Sequence, residues 1–291
     1  MNVRAPSSAR PRLIAVDLDG TLLNPQGVPH ARDVRALKAL QTAGVVVTII
    51  TGRMYSGTRN AAEIVGIRGP VGCVDGSHVV SAATHETLFH KGFATSHAGT
   101  LRESFAASGP ATFLFSGNAI VHDDAGEPYL EYVATWSPDI TRTGSVVDHH
   151  LWDHEAGITA VVAVGSLEQI QGAAARIQAG VGEHAQVATF PTRPMGASAG
   201  CWGMIVRASG GDKGTALAWI ASHHGIAIEE TVTVGDWVND VPMLRAAGRS
   251  YAMGQAPDSV KESVTHILDE TPLTGGGVAS AARHAFGIAV G

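Results

Sequence analysis

A wholly apolar four-residue run, Leu13–Val16, ends on a carboxylate, Asp17, and passes through a turn-rich stretch, DGTLLNPQG, into a helical pattern. A short run with no polar alternation is what a strand buried on both faces looks like, and such strands belong to parallel sheets covered by helices on either side. The unit then repeats. His30–Ala43 carries Val34, Leu37 and Leu40 on one helical face and stops at Gly44. Val45–Ile50 reads as a second buried strand, with Thr51-Gly52-Arg53 at its carboxyl end. A helix over about Met54–Val65, closed by Gly66, leads to a third strand at Val71–Val74. The alternation returns near the C-terminus, with helices at Lys213–His224, Val241–Ala247 and Val278–Phe286 and strands at Thr231–Val234, Tyr251–Met253 and Thr265–Ile267. Both ends therefore predict one doubly wound α/β sheet.

The middle follows another pattern. Strands there alternate or pair, as at Thr112–Phe115 and Ala119–His122, and Gly157–Val164 precedes a helix over Ser166–Ala179 with Ser166 at its N-cap and Gln169 at the capping-box position. With 291 residues the chain has about twice the length of one comfortable domain. The expected division is a core over residues 1–84 and 205–291, interrupted by an inserted α+β domain over residues 85–204. Apolar residues make up 45% and charged residues 16%, enough to bury a large core and too apolar for disorder. A net charge of -6 argues against a dedicated nucleic-acid binder. Cys73 and Cys201 lie far apart with no metal or redox spacing, which suits a reducing compartment. No run of apolar residues is long enough to span a bilayer. The first twelve residues lack a hydrophobic segment and read as a short frayed tail rather than a secretory signal. The expectation is a soluble, cytoplasmic protein with no membrane and no nucleic-acid partner.

In an open parallel sheet, reactive groups gather beyond the carboxyl ends of the strands. Four polar clusters stand at such positions: Asp17-Leu18-Asp19-Gly20-Thr21, Thr51-Gly52-Arg53, Lys213 at a helix start, and Gly235-Asp236-Trp237-Val238-Asn239-Asp240. Their chemistry fits phosphoryl transfer. An aspartate can attack phosphorus and form an aspartyl phosphate, which makes Asp17 the candidate nucleophile. Asp19, two residues on, can protonate the leaving oxygen and later take a proton from water. Thr51 can donate its hydroxyl to a phosphoryl oxygen. A phosphate dianion will not approach Asp17, Asp236 and Asp240 unaided; Mg²⁺ and Lys213 would return the three positive charges needed, and oxygen ligands suit that hard cation. Each cluster alone has a plain structural reading: a solvated turn for DxD, a turn for Thr-Gly, or an N-cap for Asn239 or Asp240 ahead of the Val241–Ala247 helix. The DxDGT and GDxxND clusters occur together, in order and each after a buried strand, a combination that chance seldom gives.

This set resembles the haloacid dehalogenase superfamily of phosphohydrolases, in particular its Cof-type branch, in which a large cap is inserted between the second and third motifs. The matching residues are DLDGTL at 17–22, TGR at 51–53, DKG at 212–214 and GDWVNDVPML at 235–244, with a weaker match at AMGQAPDSVKESVTHI, 252–267, and GGGVA, 275–279. The resemblance implies a Rossmann-like core with an inserted α+β cap that closes over it and supplies specificity. It implies that Asp17 is nucleophile and Mg²⁺ ligand, that Asp19 is acid/base and offers its backbone carbonyl to the metal, and that Asp236 is the second carboxylate ligand. Thr51 and Gly52 would bind the phosphoryl group, Lys213 would neutralise it and Asn239 would orient it, with Asp240 and Arg53 in support behind them. The chain departs from the family pattern at Asp75-Gly76-Ser77, where Asn-Gly-Ala is common, and at Gln255, where Asn is frequent. Asp75 would add negative charge near the mouth of the site, and Trp237 would pack structurally or shape its entrance.

The resulting expectation is a Mg²⁺-dependent phosphatase of small phosphorylated metabolites, sugar phosphates foremost. A sugar phosphomutase would share the aspartyl phosphate, and a non-catalytic phospholigand-binding protein could use the same fold. Outside this set, the densest imidazole cluster is His149, His150 and His154; if helical, His150 and His154 would share a face, although a plain surface reading is stronger with no third ligand in view.

Overall fold

The computed structural model describes residues 7–107, 109–117, 119–153 and 157–288. The described residues within Met1–Gly52, Thr58–Phe89 and Asp212–Gly291 form one compact unit, and those within Arg53–Gly57 and His90–Gly211 form another.

The first unit is built on a five-stranded sheet in the order His266–Ile267, Arg249–Ala252, Thr231–Gly235, Leu13–Val16, Val46–Ile49, every pair of neighbours parallel. Its central strands are apolar on both faces because helices cover both. Leu13 and Ala15 pack against Ala216, Leu217 and Ile220 of helix Lys213–His223 and Met243 and Leu244 of helix Val241–Ala246. Helices Ala31–Thr42 and Gly277–Phe286 pack on each other and on strands Val46–Ile49 and Thr231–Gly235. Buried Asp33 joins this second pair, its carboxylate accepting from Gly276 N at 3.0 Å and Ala279 N at 2.8 Å at the start of the last helix. The fold is α/β with a doubly wound parallel sheet.

Two stretches depart from the sequence reading. The third strand, Pro70–Cys73, meets the sheet through a parallel bridge between Ile50 and Gly72, then folds back as an antiparallel sheet with His78–Ser81 and Thr87–His90. The reversals run through left-handed residues at Gly76 and His85, a conformation that a non-glycine such as His85 seldom signals in advance. The N-terminal tail is also tied down over its described part: Ser7 N donates to Gly248 O and Arg12 N to Glu230 O, both at 2.8 Å, and Arg249 reaches the carbonyls of Ser7 and Ala9. Tertiary hydrogen bonds override the frayed reading there.

The second unit carries a six-stranded sheet in the order Ala185–Pro191, Trp202–Ala208, Ala160–Gly165, Ala111–Ser116, Ala119–His122, Ile140–Arg142, antiparallel except for the last pair. Helices Thr95–Ala106 and Leu167–Val181 bury Leu101, Phe105, Ile170 and Ile177 in one core with Leu114, Val161 and Met204. Ser166 and Gln169 form the capping box that their spacing predicts, Gln169 N donating to Ser166 Oγ at 3.2 Å and Ser166 N to Gln169 Oε1 at 2.9 Å. His149 and His150 stand with ring centroids 4.3 Å apart, and His150 opens a single 3-10 turn ending at Asp153. The shared-face reading needs His154, which lies outside the described residues. No helix among the described residues is long and apolar enough to cross a membrane.

Candidate active site

Leu13–Val16 leads on to its neighbour Val46–Ile49 on one side, and Thr231–Gly235 to Arg249–Ala252 on the other, so the connections after the two central strands run in opposite directions. Val16 pairs with Val234, and Asp17 N donates to Val234 O at 2.9 Å. Asp17 and Asp236 therefore emerge side by side although 219 positions separate them in the chain (236 less 17).

Lys213 enters from the helix it begins, whose N-cap, Asp212, accepts from Thr215 N at 2.7 Å. Its side chain is fully buried, with Nζ 2.6 Å from Asp17 Oδ1 and 2.6 Å from Asp240 Oδ1. Asp240 uses its other oxygen to accept from Asp236 N at 2.8 Å and Trp237 N at 2.9 Å. It therefore braces the loop and the lysine together, and its carboxylate does not make the side-chain cap to the following helix that sequence alone allowed.

Asp236 is held by a different set. Thr21 Oγ1 donates to its Oδ1 at 2.9 Å, and Gln255 Nε2 donates to its Oδ2 at 3.3 Å and to Gly20 O at 2.8 Å. Gly20 takes a left-handed φ of 82°, and a Cβ there would overlap the Asp236 carboxylate. Thr21 and Gln255 were not among the expected site residues; Thr21 sits inside DLDGTL, whereas only the fold brings Gln255 to Gly20.

Asp17, Asp236 and Asp240 are buried, and each offers an oxygen within 4.8 Å of the others. Burial, then repulsion from Asp240, raises the Asp17 carboxyl well above the ordinary aspartate range, with Lys213 opposing. Burial, then Asp240, pushes Asp236 up to about 6 against Thr21, Lys213 and Gln255. Burial works to lower the Lys213 ammonium, but Asp17 and Asp240 outweigh it and hold the lysine protonated. Lys213 thus faces Asp17 and Asp240 directly, with Asp236 and Asp75 adding further negative charge. An all-oxygen cluster with surplus negative charge fits a hard divalent cation, which would draw the carboxyls back to their ionised forms.

In metal-free protein the raised Asp236 carboxyl links folding to pH. Because the folded Asp236 value lies above its ordinary 3.8, the folded state holds the extra proton. The resulting stability is complete below about pH 4 and is lost as pH rises through about 6. Denaturant unfolding from pH 4 to 7 should show that slope, and Asp236→Asn should reduce it. An unchanged slope in the variant would remove Asp236 as its source.

The remaining expected residues fall nearby or elsewhere as follows. Thr51 is buried at the end of Val46–Ile49, its N–H donating to Gly72 O and its carbonyl accepting from Asp75 N, both at 2.9 Å. Gly52 follows beside the Asp75 carboxylate. Asn239 Nδ2 donates to Asp75 Oδ1 at 2.8 Å. Asp19 is half-buried in the turn after Asp17, where Leu22 N and Leu23 N both bond to Leu18 O. Trp237 is 56% exposed and so does not pack as a structural side chain. Arg53 belongs to the other compact unit, where Nη1 donates to Gly57 O at 3.4 Å.

Comparison with known proteins gives this arrangement its relatives. A model of the haloacid dehalogenase-like hydrolase family matches residues 14–281. The chain belongs to that family. Among sequence relatives of this hydrolase, phosphatase YwpJ of Bacillus subtilis is 26% identical over 305 aligned residues, covering 94% of this chain and 99% of the relative. The 5-amino-6-(5-phospho-D-ribitylamino)uracil phosphatase YcsE of the same organism is 24% identical over 276, covering 94% and 95%. Among solved structures, a haloacid dehalogenase-like hydrolase from Bacteroides thetaiotaomicron shares the fold with a TM-score of 0.80 at 22% identity, over 95% of this chain and 100% of that one.

Proposed function

We propose that this hydrolase is a Mg²⁺-dependent phosphatase of small phosphorylated metabolites, sugar phosphates foremost, acting through an aspartyl phosphate on Asp17. The observation that carries the reading is the buried Asp17 carboxylate, bonded to Lys213 Nζ at 2.6 Å and set among carboxylates that supply only oxygen. The substrate class draws on the phosphorylated ribityl chain in the name of the relative YcsE.

An Asp17 oxygen attacks phosphorus while the bond from phosphorus to the leaving oxygen breaks, and Asp19 gives that oxygen its proton. Asp19 then accepts a proton from water, whose oxygen attacks the same phosphorus and releases inorganic phosphate and free Asp17. Lys213, already protonated, neutralises charge on the phosphoryl oxygens. Thr51, Gly52 and Asn239 orient the group. Asp240 keeps Lys213 and the Asp236 backbone in place, and Thr21 and Gln255 keep the Asp236 carboxylate in place. Asp17, the Asp19 carbonyl and Asp236 would hold Mg²⁺, which when bound offsets the negative charge of carboxylates and phosphate.

The deciding assay is p-nitrophenyl phosphate turnover after treatment with EDTA, with and without added Mg²⁺. Release of p-nitrophenol and inorganic phosphate in equal amounts should require the metal. No release in either condition would leave a phospholigand-binding protein, and full release in EDTA would remove the metal from the reading.

A further inference from the structure

We infer that Asp75 is a positioning residue, which holds the Asn239 amide in the one orientation that leaves a second N–H of Asn239 for a phosphoryl oxygen. The inference rests on the proposed contact between Asn239 and the phosphoryl group.

An asparagine amide carries an oxygen and an NH₂ of nearly equal size, so a neutral amide partner could meet it either way round. A carboxylate can only accept. With Asp75 Oδ1 2.8 Å away, Asn239 must turn Nδ2 toward it, and this spends one of the two Nδ2 hydrogens. The plane of the amide then sets the direction of the other. Asp75 stands where the resemblance expects asparagine, and in this chain it offers Asn239 only acceptors.

The backbone and the packing both serve that placement. Val74 and Asp75 each have a φ of 49°, a left-handed conformation that aspartate and asparagine tolerate better than most residues. The Asp75 N–H donates to Thr51 O at 2.9 Å, which ties the turn to the end of Val46–Ile49. Asp75 is 7% exposed, and its carboxylate lies over Gly52, where a Cβ would stand 3.2 Å from the same Oδ1. On the other side, Asn239 lies in the 3-10 turn Val238–Asp240, which the Asp240 carboxylate anchors through Trp237 N. Both partners are thus built into turns at strand ends, Asp75 after Pro70–Cys73 and Asn239 after Thr231–Gly235. The Asp75 charge also helps to keep Lys213 protonated.

The test is a double-mutant cycle with Asp75→Gly, Asn239→Ala and the pair, read by steady-state kinetics on p-nitrophenyl phosphate and by the competitive inhibition constant for inorganic phosphate. Glycine accepts the left-handed backbone, and Asp75→Ser, too short to reach Asn239, serves as a second truncation. Each truncation should lower kcat/KM about 10- to 100-fold and raise the phosphate inhibition constant, with the melting temperature held. Asn239→Ala should show a similar loss, and the double variant should lose no more than Asn239→Ala alone. Asp75→Asn keeps an oxygen at the same point but, as a neutral amide, also lets Asn239 meet it the other way round, so it should recover only part of the rate that Asp75→Gly loses. If the two losses multiply in the double variant, or if Asp75→Asn is as active as the parent, the Asp75 carboxylate does not act by orienting Asn239 and the inference falls while the phosphatase reading stands. Full activity in Asn239→Ala would overturn the phosphoryl contact and the inference with it.

Discussion

Asp17→Asn should fold, keep its place beside Lys213 and turn over p-nitrophenyl phosphate about a thousandfold more slowly or worse. The amide has the shape of the carboxylate but no anionic oxygen with which to attack phosphorus. The same change should stabilise the metal-free protein. Burial and Asp240 raise the Asp17 carboxyl more than Lys213 lowers it, so the ionised group is held in the folded state at a cost. A neutral amide removes that repulsion, and a rise in Tm of about 2 °C or more should accompany the loss of activity. The pairing of outcomes is informative, since a merely structural aspartate would lose stability on neutralisation. An active Asp17→Asn protein would refute the nucleophile.

Lys213→Met should have the opposite effect on stability. The lysine bridges Asp17 and Asp240, at 2.6 Å to each, and it is fully buried. Methionine fills much of the same volume but leaves the carboxylates uncompensated. Removing one partner from a buried ion pair costs about 3–5 kcal/mol, and here two carboxylates lose it together. Denaturant unfolding of the EDTA-treated variant should show a loss of that size, and added Mg²⁺ should recover part of it by supplying charge at the carboxylates. Turnover should fall about a hundredfold or more even with metal present, because the phosphoryl oxygens lose their neutralising group. A variant as stable as the parent in EDTA would mean that the carboxylates take up protons without penalty, and the electrostatic account of the site would fail.

Much of this architecture is legible in the sequence. The buried strands Leu13–Val16 and Thr231–Gly235 and the helices Ala31–Thr42 and Lys213–His223 lie within a residue or two of where apolar runs, glycine stops and cap residues place them. The Ser166–Gln169 capping box is read from four consecutive residues because its hydrogen bonds are local. The hairpin strands at His78–Ser81 and Thr87–His90 were not read, since a left-handed His85 leaves no compositional mark. Residues 7–12 looked like a loose end because their partners, Glu230 and Gly248, are more than two hundred positions away.

By itself the sequence determined which chemistry was present: carboxylates and a threonine-glycine turn after buried strands and one lysine at a helix start, because strand burial, helix starts and helix stops are written in short-range patterns. The tertiary structure alone decided how those groups are held. It turned Gln255 onto Gly20 and Asp236, joined Asp75 to Asn239, and gave one ammonium to two aspartates. Such pairings depend on side chains meeting from strand ends far apart in the chain, and the strength of each depends on burial, which no local pattern encodes.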